Sequence, residues 1–492
     1  MLVFFGILIF WVVHGVALGQ APGLHFDEAW AANEAYRIAF EPGFWPLQGQ
    51  SAYTVPWNLY PIAAAFKLFG TEVWIFRGVS LAYVFTGFIL IRKALVIWGE
   101  KRAGDLFFFT SSFLLGLVLN HRFAVEINTF HVFCFGLLLF GLSRLINISS
   151  NRKVSLFFVA LAVFFGVTSH VLFLTPSLAA ALVPLVLGIP LVRDTRVMLL
   201  ALGAVLSPFF LRIAFLVPER DKALILAAGA GACVLALFFG AGRVWGTAKL
   251  RQWAMITTGV ISIPFIFLTL IFLEGHWSVL FSVGGLQKSI LFGLTLLPGL
   301  VLFRLQRKAF WSEKFKPFTL FFFYLCIGVG ILMIKPTPRY FELPEVVAAL
   351  ALSLALARYP RSVLSFYFVV VAVFFTLQFS ENYLQPIVQG KVRESKFSFL
   401  FIKDDSRDHL SKQKLSEMIA AWGCRFESVQ SPDSRVMEAL KFLSHTSYWK
   451  TNSQVQCPSG GVRVYRTVDY AVGHSILAKA YGFTIEKSEG PQ

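Results

Sequence analysis

Apolar runs close to twenty residues long, separated by short clusters of lysine and arginine, recur from the first residue to about residue 380. A helix of that length crosses the hydrocarbon core of a bilayer, and a soluble fold has no use for so many. Of the 492 residues, 57% are hydrophobic and only 14% are charged, too little charge to cover a soluble protein of this size. The mean hydropathy is +0.68. The pattern predicts thirteen spans near 1–18, 73–97, 104–119, 123–146, 154–168, 171–192, 197–217, 223–241, 252–273, 289–304, 317–334, 343–357 and 362–380.

Charge in the connections tests that count, because cytoplasmic loops are enriched in Lys and Arg and one miscounted span reverses everything downstream. With the N-terminus inside, the six cytoplasmic loops each carry at least two basic residues. They run from Arg92, Lys93, Lys101 and Arg102 to Arg358 and Arg361. The formal net charge of +17 is dispersed among these loops rather than gathered with aromatics in one patch, so nucleic acid is not an expected partner. The first span carries no Lys or Arg ahead of it and ends in "VALGQA", so a cleaved signal segment is the alternative to a retained helix. In either case residues 19–72 form a first external loop.

A tail from residue 381 to 492 also falls outside the cytoplasm. "HLSKQKLSEMIAAWG" has helical spacing with a stop at Gly423, "FSFLFI" (397–402) is strand-like, and "VQCPSGGVRVYR" reads as a hairpin around Ser459–Gly461. Cys134, Cys233 and Cys326 lie in predicted spans, whereas Cys424 and Cys457 lie in the tail, where an oxidising compartment makes them a candidate disulfide. The Asn-x-Ser at Asn147 falls on the cytoplasmic side, and the absence of an external sequon leans toward a bacterial inner membrane. The predicted fold class is therefore an all-α polytopic membrane protein of about 13 transmembrane helices (1–380) with a small α/β C-terminal extracytoplasmic domain (381–492).

Four stretches share an organisation: "LHFDEAWAANEAYRIAF" opening the first external loop, "PIAAAFKLFGTEVWIFRGVSLAY" re-entering the membrane, "NHRFAVEINTFHVF" between spans three and four, and "PTPRYFELPEVVAALAL" late in the chain. Together they resemble the GT-C membrane glycosyltransferases of the family 39-like branch. That branch includes protein O-mannosyltransferases, the aminoarabinose transferase of lipid A, and bacterial polyprenyl-phosphate-dependent transferases. The resemblance covers about residues 1–380 and implies a GT-C-like fold. It also implies a donor in which a polyprenyl phosphate carries one sugar, and a lipid, polysaccharide or protein acceptor on the outer face. Inverting transfer needs a carboxylate to take the acceptor proton and positive charge to stabilise the departing phosphate.

By this match Asp27 is the candidate catalytic base, although the bare residues read equally as a helix N-cap. The candidate substrate-binding residues are Glu28, Arg122, Glu126, Arg339 and Tyr340. Glu28 also suits the first turn of a helix, and Arg122 and Glu126 are spaced as one helix face. Arg339 follows two prolines at headgroup depth, where its planar fork suits a lipid phosphate. Trp45, Tyr53, Trp57 and Tyr60 offer sugar stacking or an interfacial belt.

One departure stands out. Some relatives carry an acid–lysine–proline–proline stretch after the loop-one acid, where this chain has Thr54 and Val55 in "YTVPWNLYP". A candidate metal ligand and a phosphate contact are thus missing, which puts a divalent-metal requirement in doubt. The competing readings are a transporter or flippase of a lipid-linked glycan and a non-catalytic member of the same fold.

Overall fold

The computed structural model describes residues 2–19, 24–46, 55–124, 127–146, 151–173, 175–177, 179–180, 342–380, 409–447, 449, 457–458, 461–466, 476–480 and 483–487. The spans expected between 197 and 334, most of the span at 171–192, and the strand at 397–402 lie outside the described residues.

Ten helices precede the tail among the described residues: α1 (Leu2–Gly15), α2 (Phe26–Phe40), α3 (Leu59–Phe69), α4 (Val73–Ile97), α5 (Lys101–Ser112), α6 (Leu115–His121), α7 (Phe130–Ile146), α8 (Arg152–Ser169), α9 (Glu342–Leu356) and α10 (Arg361–Phe379). Among them α4, with 25 residues, is long and apolar enough to cross a membrane by itself; α1, α7, α8 and α10 are apolar but shorter. Its bounds coincide with the span expected from sequence.

The span expected at 104–119 is instead broken into α5 and α6. Thr110, Ser111 and Ser112 turn their hydroxyls back onto the carbonyls of Leu106, Phe107 and Phe108, which loosens the helix just before Phe113. The next span begins at Phe130 rather than near 123, and residues 122–124 are not helical.

Small residues set the closest approach in the bundle. A Cβ on Gly87 of α4 would lie 2.5 Å from the Val132 carbonyl oxygen, and one on Gly136 of α7 would lie 2.4 Å from that of Gly87. The two helices therefore cross backbone to backbone. Phe10 of α1 is fully buried against Phe88 and Phe108, which makes α1 a member of the same core.

Loops assigned to the same side meet at the same end. Arg358 pairs with Glu100 at 3.0 Å, and Arg102 donates to the Tyr359 carbonyl, joining two connections expected on the cytoplasmic side. At the opposite end Val55 N and Trp57 Nε1 donate to the carbonyl and hydroxyl of Thr168, at 2.8 and 2.9 Å.

The tail adds α11 (His409–Ala421), α12 (Ser434–Ser444) and four strands, β1 (Val429–Gln430), β2 (Val462–Arg466), β3 (Ile476–Ala480) and β4 (Phe483–Lys487). They form one sheet in the order β1-β2-β4-β3. β2 runs parallel to β1 and antiparallel to β4, so it is not the second arm of the expected hairpin. Gly461 sits at φ +86°, and a Cβ there would fall 2.1 Å from the Ser428 carbonyl oxygen. Only glycine lets the chain turn there. As expected, Gly423 ends α11 at positive φ, with Cys424 N donating to the Ile419 carbonyl. Cys424 and Cys457 form a disulfide. One face of α12 closes the tail core through Val436 and Leu440, while Ala439, Phe442 and Leu443 pack against α2, α3 and α4.

Candidate active site

The start of α2 is built from its own sequence. His25 is the N-cap: its Nδ1 accepts from Asp27 N at 3.1 Å, and the Glu28 carboxylate accepts from His25 N at 3.0 Å. This reciprocal arrangement satisfies two amides the helix leaves unbonded. Asp27 is thus not the N-cap but the second helical residue.

His25 Nδ1 also lies 3.3 Å from Asp27 Oδ2. Accepting from the amide requires a bare Nδ1, whereas donating to the carboxylate requires a proton on it. One nitrogen cannot do both at once, so the site of the imidazole proton decides whether His25 tethers the Asp27 carboxylate. Both side chains are largely buried, at 9% and 14% exposure, yet Asp27 keeps an edge open.

Glu28 is held by an ion pair inside the protein. It is fully buried, and Arg77 of α4 grips both its oxygens, Nε to Oε1 at 3.0 Å and Nη2 to Oε2 at 2.9 Å. Ala124 N donates to the same Oε1 at 2.9 Å, and Arg77 Nη1 reaches the Leu18 carbonyl at 2.9 Å. With four donors on two oxygens and no solvent access, Glu28 ties the start of α2 to α4 and to residue 124.

Arg122 is likewise committed to the scaffold. Fully buried, it donates to the carbonyls of Val13, His14 and Val16, the unsatisfied C-terminal groups of α1. It follows the last residue of α6, so its spacing to Glu126 is not that of one helix face. Glu126, Arg339 and Tyr340 lie outside the described residues.

Below this layer His121 Nε2 comes within 2.5 Å of Glu342 Oε1, and His121 Nδ1 within 3.3 Å of His14 Nδ1. The first contact is close but is not a hydrogen bond, and it joins opposite charges only when His121 is protonated. These three buried groups tie α1, α6 and α9 together. Among the described residues no three His, Cys, Asp or Glu side chains converge as a metal site would require.

Sequence reasoning missed Arg77, His14, His121 and Glu342. Arg77 could have been found as the one charge in the first nineteen residues of an apolar 25-residue helix, where an ion is costly unless paired.

No protein-family model matches the chain, and no curated protein does. Two solved structures are similar over the whole chain. ArnT from Cupriavidus metallidurans bound to undecaprenyl phosphate aligns with a TM-score of 0.52 at 14% identity, covering 100% of this chain and 99% of that one. The same protein in the apo state aligns with a TM-score of 0.50 at 13% identity and the same coverage. The chain therefore shares the fold of these two structures, a fold the resemblance implied.

Proposed function

We propose that the protein is an integral-membrane glycosyltransferase. It moves a sugar from a polyprenyl-phosphate donor to an acceptor hydroxyl at the end of the bundle that carries loop one, which is the outer face. The observation that carries this reading is the mounting of Asp27. Its carboxylate keeps an exposed edge, while its neighbour Glu28 is locked by Arg77 and Ala124 so that the helix start cannot drift. The fold adds support, since the ArnT structure that shares it holds undecaprenyl phosphate.

In this reaction the acceptor oxygen attacks the anomeric carbon from the face opposite the phosphate. The new glycosidic bond forms as the sugar–phosphate bond breaks, with inversion. Asp27 takes the acceptor proton, and the lipid phosphate leaves with the bonding pair. Arg339 and Tyr340, just ahead of the first residue of α9, are assigned to the departing phosphate, where a guanidinium can hold two oxygens.

The test is transfer of radiolabelled sugar from polyprenyl phosphate by the purified protein. Asp27→Asn removes basicity with little change of shape, and a general base contributes about 10²–10⁴-fold. A fall of that size with donor still bound is expected. Activity within about threefold of the unaltered protein would eliminate Asp27 as base. Donor crossing the bilayer with no polyprenyl phosphate released would point to a transporter instead.

A further inference from the structure

At the far end of α2 from Asp27 lies an open cavity of about 390 Å³, between the turn Glu41–Trp45 and Lys67 of α3. That volume suits a small organic ligand. From Asp27 to Glu41 is fourteen residues, about 21 Å along a helix axis. The cavity is therefore separate from the site of bond exchange.

Its walls are held from behind. Trp45 stacks on Tyr60 at 4.7 Å with 23° between the rings, and Tyr60 Oη donates to the Pro46 carbonyl at 2.9 Å. With its back face covered, the indole is still 65% exposed. Arg37 pairs with Glu34 and Glu41 at 3.1 and 2.9 Å and lies 3.7 Å over the Phe44 ring, which fixes the turn. Lys67 is exposed and has no ion-pair partner among the described residues.

We propose that this cavity is a binding subsite for a neutral pyranose unit of the acceptor, more than one sugar away from the hydroxyl that reacts. The inference rests on the glycosyltransferase reading above and names its acceptor as an extended saccharide. A pyranose presents an apolar ring face and a rim of hydroxyls that both donate and accept. Trp45 offers the rigid apolar plane, Glu41 an acceptor and Lys67 a donor. The formal charges of Glu34, Arg37, Glu41 and Lys67 cancel, so the cavity has no net attraction for an acidic sugar. An indole at a membrane protein's edge also serves as a lipid anchor. The experiment therefore sets the two against each other.

The full chain in nanodiscs is compared with Trp45→Phe, so that the fluorescence difference reports Trp45 alone among the 12 tryptophans. Maltotriose is the neutral probe, trigalacturonate the acidic one, and doxyl-labelled lipid the membrane quencher. Saturable change on adding maltotriose, weaker with trigalacturonate, is expected. The dissociation constant should rise about tenfold in Lys67→Ala, the size expected for losing a charged hydrogen bond. Trp45→Ala should abolish binding measured by saturation-transfer NMR. Quenching of Trp45 by doxyl lipid with no response to maltotriose overturns the proposal, as does equal response to both saccharides. Binding is read without turnover, so a failed transfer assay and a failed subsite give different results.

Discussion

Arg77 and Glu28 lie face to face with two parallel hydrogen bonds of 3.0 and 2.9 Å, both side chains sealed from solvent. Breaking one partner of such a buried pair leaves an uncompensated charge and costs about 3–5 kcal/mol. Arg77→Ala should therefore lower thermal stability sharply in detergent. The double variant with Glu28→Ala should lose much less than the sum of the two single changes. Additive losses would mean that the two side chains are not coupled.

His445 of the tail stacks on Tyr36 of α2 with ring centroids 3.7 Å apart. Burial, with Lys441 beside it, pushes the imidazole below its usual 6.5, while Glu41 and Glu427 oppose the shift. An exposed histidine thus takes a proton before the docked one does. The contribution to docking is complete above about pH 6.5 and is lost as the pH falls from there through the lower docked value. The tail should loosen from α2 as the pH falls below about 6.5. In His445→Phe that acid sensitivity, followed by limited proteolysis, should shrink; an unchanged profile would assign it to other groups.

The crossing of α4 and α7 tolerates no side chain at Gly136, where a Cβ would meet the Gly87 carbonyl oxygen at 2.4 Å. Gly136→Ala should destabilise the bundle by about 1–3 kcal/mol through overpacking. Gly78, on the facing helix α4, has open space around its Cβ position, so Gly78→Ala should be neutral or slightly stabilising. Thermal unfolding of the two variants side by side checks the contrast.

Cys424 and Cys457 close a loop with a sequence separation of 33. On the chain-entropy view such a link stabilises by about 3–4 kcal/mol. Cys457→Ser should therefore make the tail easier to unfold and to cleave, while peptides from α4 and α7 keep their protection. Loss of protection throughout would show that tail and bundle unfold together.

Much of the bundle was legible because hydropathy has a fixed length scale. The bounds of α4 coincide with the expected span, and those of α9 and α10 fall within one residue of theirs. The break before Phe113 was written in three consecutive hydroxyl residues, Thr110 to Ser112, but hydropathy ignores them. The partners of Glu28 were hidden for another reason. Arg77 is 49 residues away and Ala124 is 96, and no local period links them. The same holds for β2, whose strand character is local but whose pairing with β4 is decided by the tertiary fold. For Asp27, the resemblance of loop one suggested chemistry, while the cap at His25, which the residues alone did not announce, shows that Asp27 is not the N-cap.

The C-terminal carbonyls of α1 find their donors in Arg122, which follows α6, and the Leu18 carbonyl finds its donor in Arg77 of α4. During synthesis α1 leaves the ribosome before α4 and α6, so these acceptors stay unfilled until those later helices have been made. A helix made earlier is thus finished only by helices made later. Until then its polar end has only water or headgroups to answer it, which keeps it near the membrane surface, where loop one must assemble.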